Sequence, residues 1–240
     1  ALIFIFFLVI SVVFVMPTVL TFTNSLMSKS EIAANYGQIF SSVSGDAKVF
    51  VSTQTNLKLI PDMVTFDQYT NVLIKNPQYL IKFWNSVILT VPIVLGQIAV
   101  ALFAAYGFAR FEGKIRSLIF FTYVILMLMP YQVTLVPNRL VAEWLNLYDT
   151  RWAIILPGIF SPFAVFILTK FMRRIPNAMI EAAKLDGAGE VQVFCKICVP
   201  MSKGIIYSVA ILVFIDYWNM VEQPLVLLKT SDMHPLSVFL

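Results

Sequence analysis

The stretch EAAKLDGAGEVQVFCKICVP, at residues 181–200, is polar and soluble in character, yet it stands between two long apolar runs. The preceding run covers residues 152–169, and the following run covers residues 204–228. Within the stretch, Asp186-Gly187 is a turn signal that separates two helical patterns. The sequence therefore predicts a membrane protein from which a helix-turn-helix loop, residues 173–203, projects into water.

Composition indicates that most of the chain lies in lipid. Of its 240 residues, 59% are hydrophobic and only 12% are charged, which exceeds what one soluble core buries. Five apolar runs approach or exceed the roughly 20 residues of a spanning helix: 2–28, 83–109, 117–138, 152–169 and 204–228. The last spans a bilayer only if it tolerates Asp216 and Glu222. These runs are too long for barrel strands, so the predicted fold class is all-α integral membrane, a bundle of five transmembrane helices kinked at internal prolines.

Basic residues predict the orientation of the spans. They cluster after the second and fourth runs: Arg110, Lys114, Arg116, Arg173 and Arg174. Those loops, including residues 173–203, are predicted to be cytoplasmic, and residues 23–82 are predicted to form an extracytoplasmic loop with interfacial helices. Apolar residues at helical spacing in residues 66–73 indicate one such helix. It is either a linker in the headgroups or a docking surface for an external partner.

The first apolar run begins at the first residue of the sequence. It has neither the basic flank nor the cleavage site of a secretory signal, so we interpret it as a retained span. Because Ala1 lies directly inside this run, we expect the sequence to be incomplete at its N-terminus.

The loop between the fourth and fifth runs carries its own helix signals. Asn177 is predicted to cap the first helix of the loop, and Asp186-Gly187 to end it. The small residues Ala182 and Ala183 leave one side of that helix open to close approach. A cap packed on the spans and a helix that docks into a partner fit these residues equally.

Signatures of enzymes and cofactor sites are missing or incomplete. No G-x-x-x-x-G-K-[ST] sequence occurs, so a phosphate loop for nucleotide is not expected. Cys195 and Cys198 form a C-x-x-C, but no second Cys or His pair completes a metal site. Helical spacing places these cysteines in one apolar stripe with Val191 and Phe194, so we interpret them as packed and reduced. His234 is interpreted as a loop histidine.

Polar residues form a stripe along the fifth apolar run. Asp216 lies about midway along this run, where an ionisable residue is costly and indicates function. Helical spacing places it on one face with other polar residues: Ser208, Asn219 and Gln223. Trp218 adjoins this face, and sugars bind polar groups together with aromatic faces. The stripe is predicted to line a translocation pathway, although contacts that hold helices together explain the same pattern.

The loop also contains a set of residues at fixed spacing: Glu181, Ala182, Ala183, Gly187, Ile197, Val199 and Pro200. This set resembles the EAA loop of permease subunits in binding-protein-dependent ABC importers. Only Val199 departs from that pattern, which usually has Leu at this position. Other segments resemble the carbohydrate-uptake (maltose-type) branch: 184–188, Asn85-Ser86, 105–110, 147–150, Trp218-Asn219 and Pro224-Leu225. Asn146 stands where that branch often has Gly.

The resemblance covers essentially the whole chain and implies an importer driven by a separate ATPase. The chain would be a multi-pass subunit of the bacterial cell (inner) membrane, with a sixth span after Leu240 and a sugar or oligosaccharide as substrate. Its partners would be a second permease subunit, two ATP-binding subunits and an extracytoplasmic solute-binding protein, with no nucleic acid. It would be no enzyme and hold no cofactor, because ATP and Mg would bind to the partner ATPase.

The resemblance also implies roles for particular residues. Those that would couple the spans to the ATPase are Glu181, Ala182, Ala183, Asp186 and Gly187, with Pro200 setting the angle of return into the fifth span. Two other functional classes compete. An ion-gradient-driven secondary transporter would use Asp216 as its coupling site, and an intramembrane enzyme would need a catalytic set that the apolar runs lack. The EAA spacing favours the ATP-driven importer.

Overall fold

The computed structural model describes residues 2–43 and 58–239, and the regular structure of these residues is helical, with no strand. The chain divides into two compact units, Ala1–Leu80 and Ile81–Leu240. The all-α fold class is confirmed. One domain over residues 1–240 stays a prediction.

The first unit contains the helices that precede the second apolar run. They are α1 (Leu2–Ser25), α2 (Lys29–Val43) and α3 (Asp67–Thr70), which continues into a π-helical turn (Asn71–Lys75). Ser28 begins α2, because its hydroxyl oxygen accepts a hydrogen bond from the backbone N–H of Glu31 at 3.2 Å. α3 confirms the helix predicted within residues 66–73, whereas its position at the membrane interface stays a prediction.

Large apolar side chains are exposed along α1. Phe14 is 80% exposed and Ile3 is 75% exposed. Apolar surface of this extent is stable only against lipid or a partner helix. Ile3–Ser25 is accordingly long and apolar enough to cross a membrane.

The remaining helices carry both candidate sites. They are α4 (Pro77–Arg110), α5 (Lys114–Met127), α6 (Tyr131–Trp144), α7 (Trp152–Gly158), α8 (Pro162–Met172), α9 (Asn177–Leu185), α10 (Glu190–Val193), α11 (Val199–Met201), α12 (Lys203–Trp218), α13 (Glu222–Leu227) and α14 (Leu236–Phe239). A π-helical turn (Phe194–Cys198) joins α10 to α11, and a 3-10 turn (Ser231–Met233) precedes α14.

Three helical segments of the described chain qualify as spans by length and composition: Ile3–Ser25, Pro77–Arg110 and Trp152–Met172. Two bent pairs raise this number to five if each pair is one span. α5 and α6 are bent by 106°, and the α10–α11 segment and α12 are bent by 72°. The predicted number of five spans is reached only if each bent pair is counted as one span, and the second pair includes Glu190–Met201 from the predicted loop.

The third and fifth apolar runs are each divided into two helices. Pro130 separates α5 from α6, because it lacks an N–H and its ψ of 138° is extended. In the fifth run, α12 ends at Trp218 and α13 begins only at Glu222. The bend at Pro130 agrees with the predicted proline kinks.

Two hydrophobic clusters hold α4 against later helices. The larger cluster joins the second half of α4 to α8, α10 and α12, and Leu168 lies fully buried within it. The smaller cluster joins the first half of α4 to α7, where small residues permit close approach. A Cβ added at Gly96 would lie 2.8 Å from Cγ1 of Ile159. One added at Gly158 would lie 3.1 Å from the side chain of Ile93.

Gly96→Ala is expected to destabilise the fold, because the new methyl group would press on Ile159. Overpacking of this kind costs about 1–3 kcal/mol. Gly107→Ala is the matched control, since a Cβ at Gly107 in the same helix meets nothing within 4 Å. Thermal unfolding of the purified protein in detergent should give a lower midpoint for Gly96→Ala than for Gly107→Ala. Equal midpoints would contradict the close approach of α4 and α7.

Candidate functional site

The loop between α8 and α12 begins at a polar anchor. Arg110, at the end of α4, donates hydrogen bonds to the carbonyl oxygens of Met172 (2.7 Å) and Ile175 (3.2 Å). Its Nη1 also donates to Oδ1 of Asn177 at 2.9 Å. A cation is favourable at the carbonyl groups that end a helix. The guanidinium therefore ties the start of the loop to the end of α4.

The N-terminus of α9 differs from the prediction. Asn177 is the first helical residue, and Pro176 occupies the N-cap position without a side-chain cap. The prediction that Asn177 caps this helix is wrong. Its side-chain oxygen accepts a hydrogen bond from Arg110 instead of from the backbone of α9.

α9 ends at the predicted turn. Gly187 has a φ of 86°, a left-handed conformation that costs a residue with a Cβ about 1–2 kcal/mol. Its N–H donates to the carbonyl of Lys184 at 3.0 Å, and the N–H of Ala188 donates to the carbonyl of Ala183 at 2.9 Å. The two bonds form a Schellman motif, which satisfies carbonyl groups that the end of the helix leaves unpaired.

α9 is anchored on one side and bare on the other. Ile180 is buried, and Ala183 packs against the larger hydrophobic cluster. Leu185 is 90% exposed. Apart from Ala183, the predicted coupling residues of α9 and its turn are exposed: Glu181, Ala182, Asp186 and Gly187. An apolar side chain left exposed among polar residues fits a docking helix better than a cap packed on the spans.

The return from the loop to α12 contains an irregular turn. Between α10 and α11 the backbone is π-helical, and its i→i+5 hydrogen bonds widen the helix. The predicted apolar stripe is therefore out of phase: Phe194 and Cys198 are buried, whereas Val191 and Cys195 are exposed. Pro200, the predicted pivot, follows this turn and is exposed. In the described part of the chain, no group of three His, Cys, Asp or Glu side chains is placed to hold a metal ion.

A carboxylate joins the loop to α4. Glu190 accepts a hydrogen bond from the hydroxyl of Tyr106 at 2.5 Å and pairs with Nζ of Lys184 at 2.5 Å. The Lys184 ammonium, followed by the Tyr106 hydroxyl, lowers the pKa of Glu190 below its ordinary value. The Tyr106 ring also packs edge-on against Phe194, with ring centroids 5.2 Å apart. Glu190 thereby connects α4, α9 and α10.

The second candidate site is a cavity of about 790 Å³. Its polar wall residues are Gln97, Tyr131, Thr134, Asn138, Ser161, Asp216, Tyr217 and Gln223. Residues at or beside three helix breaks belong to this wall: those between α5 and α6, between α7 and α8, and between α12 and α13. Irregular backbone inside a membrane protein is tolerated where it is buried in protein or lines a water-filled cavity. The other wall residues are apolar, so the cavity offers both polar and apolar surface.

The predicted polar stripe is only partly in this wall. Asp216 and Gln223 line the cavity. The other predicted pathway residues lie outside its wall: Ser208, Trp218 and Asn219. Since α12 ends at Trp218, helical spacing does not extend to the residues beyond it. This corrects the prediction of one continuous polar face.

The three outlying residues make local or interhelical contacts. The Ser208 hydroxyl and the Asn219 amide each donate to a backbone carbonyl one turn earlier, at 3.0 Å and 2.8 Å. Trp218 packs edge-on against Phe83 of α4, with ring centroids 5.6 Å apart. The contact of Trp218 with α4 agrees with the alternative interpretation, in which these residues hold helices together.

Gln97 is a wall residue that sequence reasoning missed. It is 2% exposed, and its Oε1 has no hydrogen-bond partner among the described residues. A polar residue inside an apolar run is costly, as for Asp216, so the same signal could have identified it. Tyr131 was missed because its place at the cavity depends on the bend after Pro130.

Gly187→Ala is expected to destabilise the turn after α9 by roughly 1–2 kcal/mol, because alanine resists a positive φ. Gly189→Ala is the matched control, since Gly189 has a φ of −75° and space for a Cβ. Hydrogen exchange of residues 177–190 should be faster in Gly187→Ala and close to wild type in Gly189→Ala. Equal protection in both variants would show that the left-handed residue does not hold this turn.

Glu190→Gln is expected to loosen the loop, because the charge-assisted bonds to Lys184 and Tyr106 are lost. Since the folded pKa of Glu190 is lowered, its contribution is present above the unfolded pKa and is lost as pH falls through the folded pKa. Hydrogen exchange at neutral pH should be faster in Glu190→Gln, and the difference from wild type should vanish at acidic pH. Glu112→Gln, at an exposed acid next to α4, is the control. A difference that persists in acid would count against the ion pair.

The chain is similar to several bacterial proteins over most of its length, and two of the following three are named as permeases. The arabinooligosaccharides transport system permease protein AraQ of Bacillus subtilis (strain 168) is 27% identical over 233 residues, which are 97% of this chain and 76% of AraQ. Protein LplC of the same strain is 31% identical over 187 residues, 78% of this chain and 62% of LplC. The sn-glycerol-3-phosphate transport system permease protein UgpE of Escherichia coli (strain K12) is 30% identical over 155 residues, 63% of this chain and 55% of UgpE.

A solved structure shares the fold. It is a chain of a bacterial ABC transporter involved in the import of the acidic polysaccharide alginate, with a TM-score of 0.78 and 22% identity over 98% of this chain and 76% of that chain. The family model of the binding-protein-dependent transport system inner membrane component matches residues 97–231, more than half of the sequence. On this match and the shared fold, the chain belongs to the family of binding-protein-dependent transport system inner membrane components.

Proposed function

We propose that this chain is the transmembrane permease subunit of an ATP-driven importer of a sugar or oligosaccharide. Its family, an inner membrane component of binding-protein-dependent transport, supports this role. The observation that carries the proposal is the form of α9, which packs through Ile180 on one side and exposes Leu185 and Glu181 on the other. A helix with these two sides receives force from a soluble partner and passes it to the spans.

In this mechanism α9 docks into a cytoplasmic ATPase. Burial of Leu185 in a groove of that partner would remove apolar surface from water. The exposed Glu181 and the small Ala182 beside it allow a close fit, and Ala183 on the other side keeps α9 close to the spans. Asp186 and Gly187 shape the turn, and Pro200 begins the return to α12. Movement of α9 would reach α4 through the hydrogen bond of Asn177 to Arg110 and through Glu190, which contacts both Lys184 of α9 and Tyr106 of α4.

Hydrolysis of ATP belongs to partner chains in this proposal. Two ATP-binding subunits would carry ATP and Mg, so this chain needs no cofactor of its own. A second permease subunit would complete the pathway, and an extracytoplasmic solute-binding protein would deliver the substrate. Residues 173–203 would then face the cytoplasm, and residues 23–82 would face the opposite side of the membrane.

The cavity supports a place for this chain in the translocation pathway. Its volume of about 790 Å³ lies in the range of small-molecule sites. Its wall combines amide and hydroxyl groups with the rings of Tyr131 and Phe160. Such a wall suits a sugar, which presents hydroxyl groups and apolar faces. AraQ, a relative along nearly the whole chain, is named for arabinooligosaccharides.

A secondary transporter that uses Asp216 as an ion-coupling site is not favoured, because the family works with binding proteins. The two mechanisms differ in a simple observation. An ion-coupled transporter would lose uptake on addition of an uncoupler and would need no ATPase, whereas the proposed importer would lose uptake when ATP is depleted.

Leu185→Asp is expected to abolish co-purification of an ATP-binding subunit and substrate-stimulated ATPase activity, because a charge replaces the apolar side chain that docks. Leu185→Met is the control, since it keeps an apolar side chain of similar volume. It should retain both the co-purified ATP-binding subunit and the stimulated ATPase activity. Membrane insertion should be unchanged in both variants, because this position is exposed. Uptake by Leu185→Asp at the wild-type rate would contradict the docking role of α9.

A further inference from the structure

The cavity wall carries one carboxylate and no cationic side chain. Asp216 supplies the carboxylate, and among the described residues no Lys, Arg or His lines the wall. No basic group of the described chain lies within ion-pair distance of Asp216. The negative charge on this side of the cavity is therefore not neutralised by the part of the chain that the structure describes.

A second acceptor on the wall also lacks a donor. Gln97 is 2% exposed, and its Oε1 is buried without a hydrogen-bond partner in the described part of the chain. A buried acceptor without a donor retains the full cost of its desolvation. A solute that donates a hydrogen bond to Gln97 would remove that cost. Gln97 on α4 and Asp216 on α12 are thus two hydrogen-bond acceptors on different walls of one cavity, and a solute that carries donors could bind to both.

We propose that this wall is a charge filter, which accepts neutral or cationic solutes rich in hydrogen-bond donors and disfavours anions. The meaning of the filter for transport rests on the proposed function. Two like charges a few ångströms apart repel strongly at the effective dielectric constant of a protein site, and no cation of this wall offsets that repulsion. Neutral sugars and amino sugars fit the filter. Sugar phosphates and uronic acids do not.

The solutes that the filter accepts differ from the anions for which two similar proteins are named. UgpE is named for sn-glycerol-3-phosphate, and the solved transporter imports an acidic polysaccharide. A phosphate or carboxylate solute would meet the uncompensated carboxylate of Asp216 on this wall. The substrate class that fits the wall is therefore a neutral or amino-substituted carbohydrate.

Cysteine labelling measures the filter without knowledge of the substrate. Thr134→Cys places a thiol on the cavity wall of the full-length chain in its native membrane. The two native cysteines, Cys195 and Cys198, are replaced by serine and alanine in this background. Reaction rates are measured with a cationic and an anionic methanethiosulfonate reagent, each normalised to its rate with a free thiol in solution. We expect the cationic reagent to be favoured roughly tenfold or more.

Asp216→Asn should reduce this preference at least about threefold, because it removes the charge and keeps the shape of the side chain. Glu112→Gln is the matched control. Glu112 is exposed and does not line the cavity. The control should leave the preference unchanged. A normalised ratio near one, a ratio that Asp216→Asn does not alter, or a thiol that neither reagent reaches would overturn the filter.

Co-purification from the same membranes separates the filter from the proposed function. Failure to recover an ATP-binding subunit, with the labelling preference intact, would count against the importer and leave the filter standing. Recovery of that subunit with a labelling ratio near one would count against the filter and leave the importer standing.

Discussion

Packing along α4 is the interaction on which the rest of the structure depends. This 34-residue helix supplies most of its own backbone hydrogen bonds, as lipid requires, and Pro92 is the one interior position in it without an N–H. Gly96 lets α7 approach closely, the adjacent Gln97 lines the cavity, and Tyr106 and Arg110 hold the loop. At 1.5 Å per residue, about 14 Å separate Gln97 from Tyr106 along the axis, so one rigid element joins the two candidate sites.

The breaks in other helices bring polar side chains to the cavity that a continuous helix would not place there. The break at Pro130 brings Tyr131 to the cavity, and the break before Pro162 brings Ser161 there. Freed backbone groups need polar surroundings, which a cavity provides and lipid does not. The same principle applies to the loop, where the Schellman turn at Gly187 satisfies the carbonyl groups at the end of α9.

Local signals predicted the local features well. The left-handed Gly187 agrees with the predicted turn, because a turn depends on neighbours a few positions away. Periodicity failed wherever the backbone left the α-helix. The π-helical turn moved Val191 out of the predicted stripe, and the end of α12 moved Asn219 off the polar face. Asn177 does not cap α9, because its side-chain oxygen accepts a hydrogen bond from Arg110, which is distant in the sequence.

The sequence by itself determined a helical membrane protein, a polar loop between two spans and an acid in the fifth run. Those features follow from hydrophobicity, turn chemistry and the spacing of residues within one segment. Only the tertiary structure decided which side chains share a site. Tyr106 meets Glu190 across 84 positions, and Gln97 and Asp216 line one cavity from two helices. Such meetings depend on the bends and close packing of whole helices, which no local pattern of residues encodes.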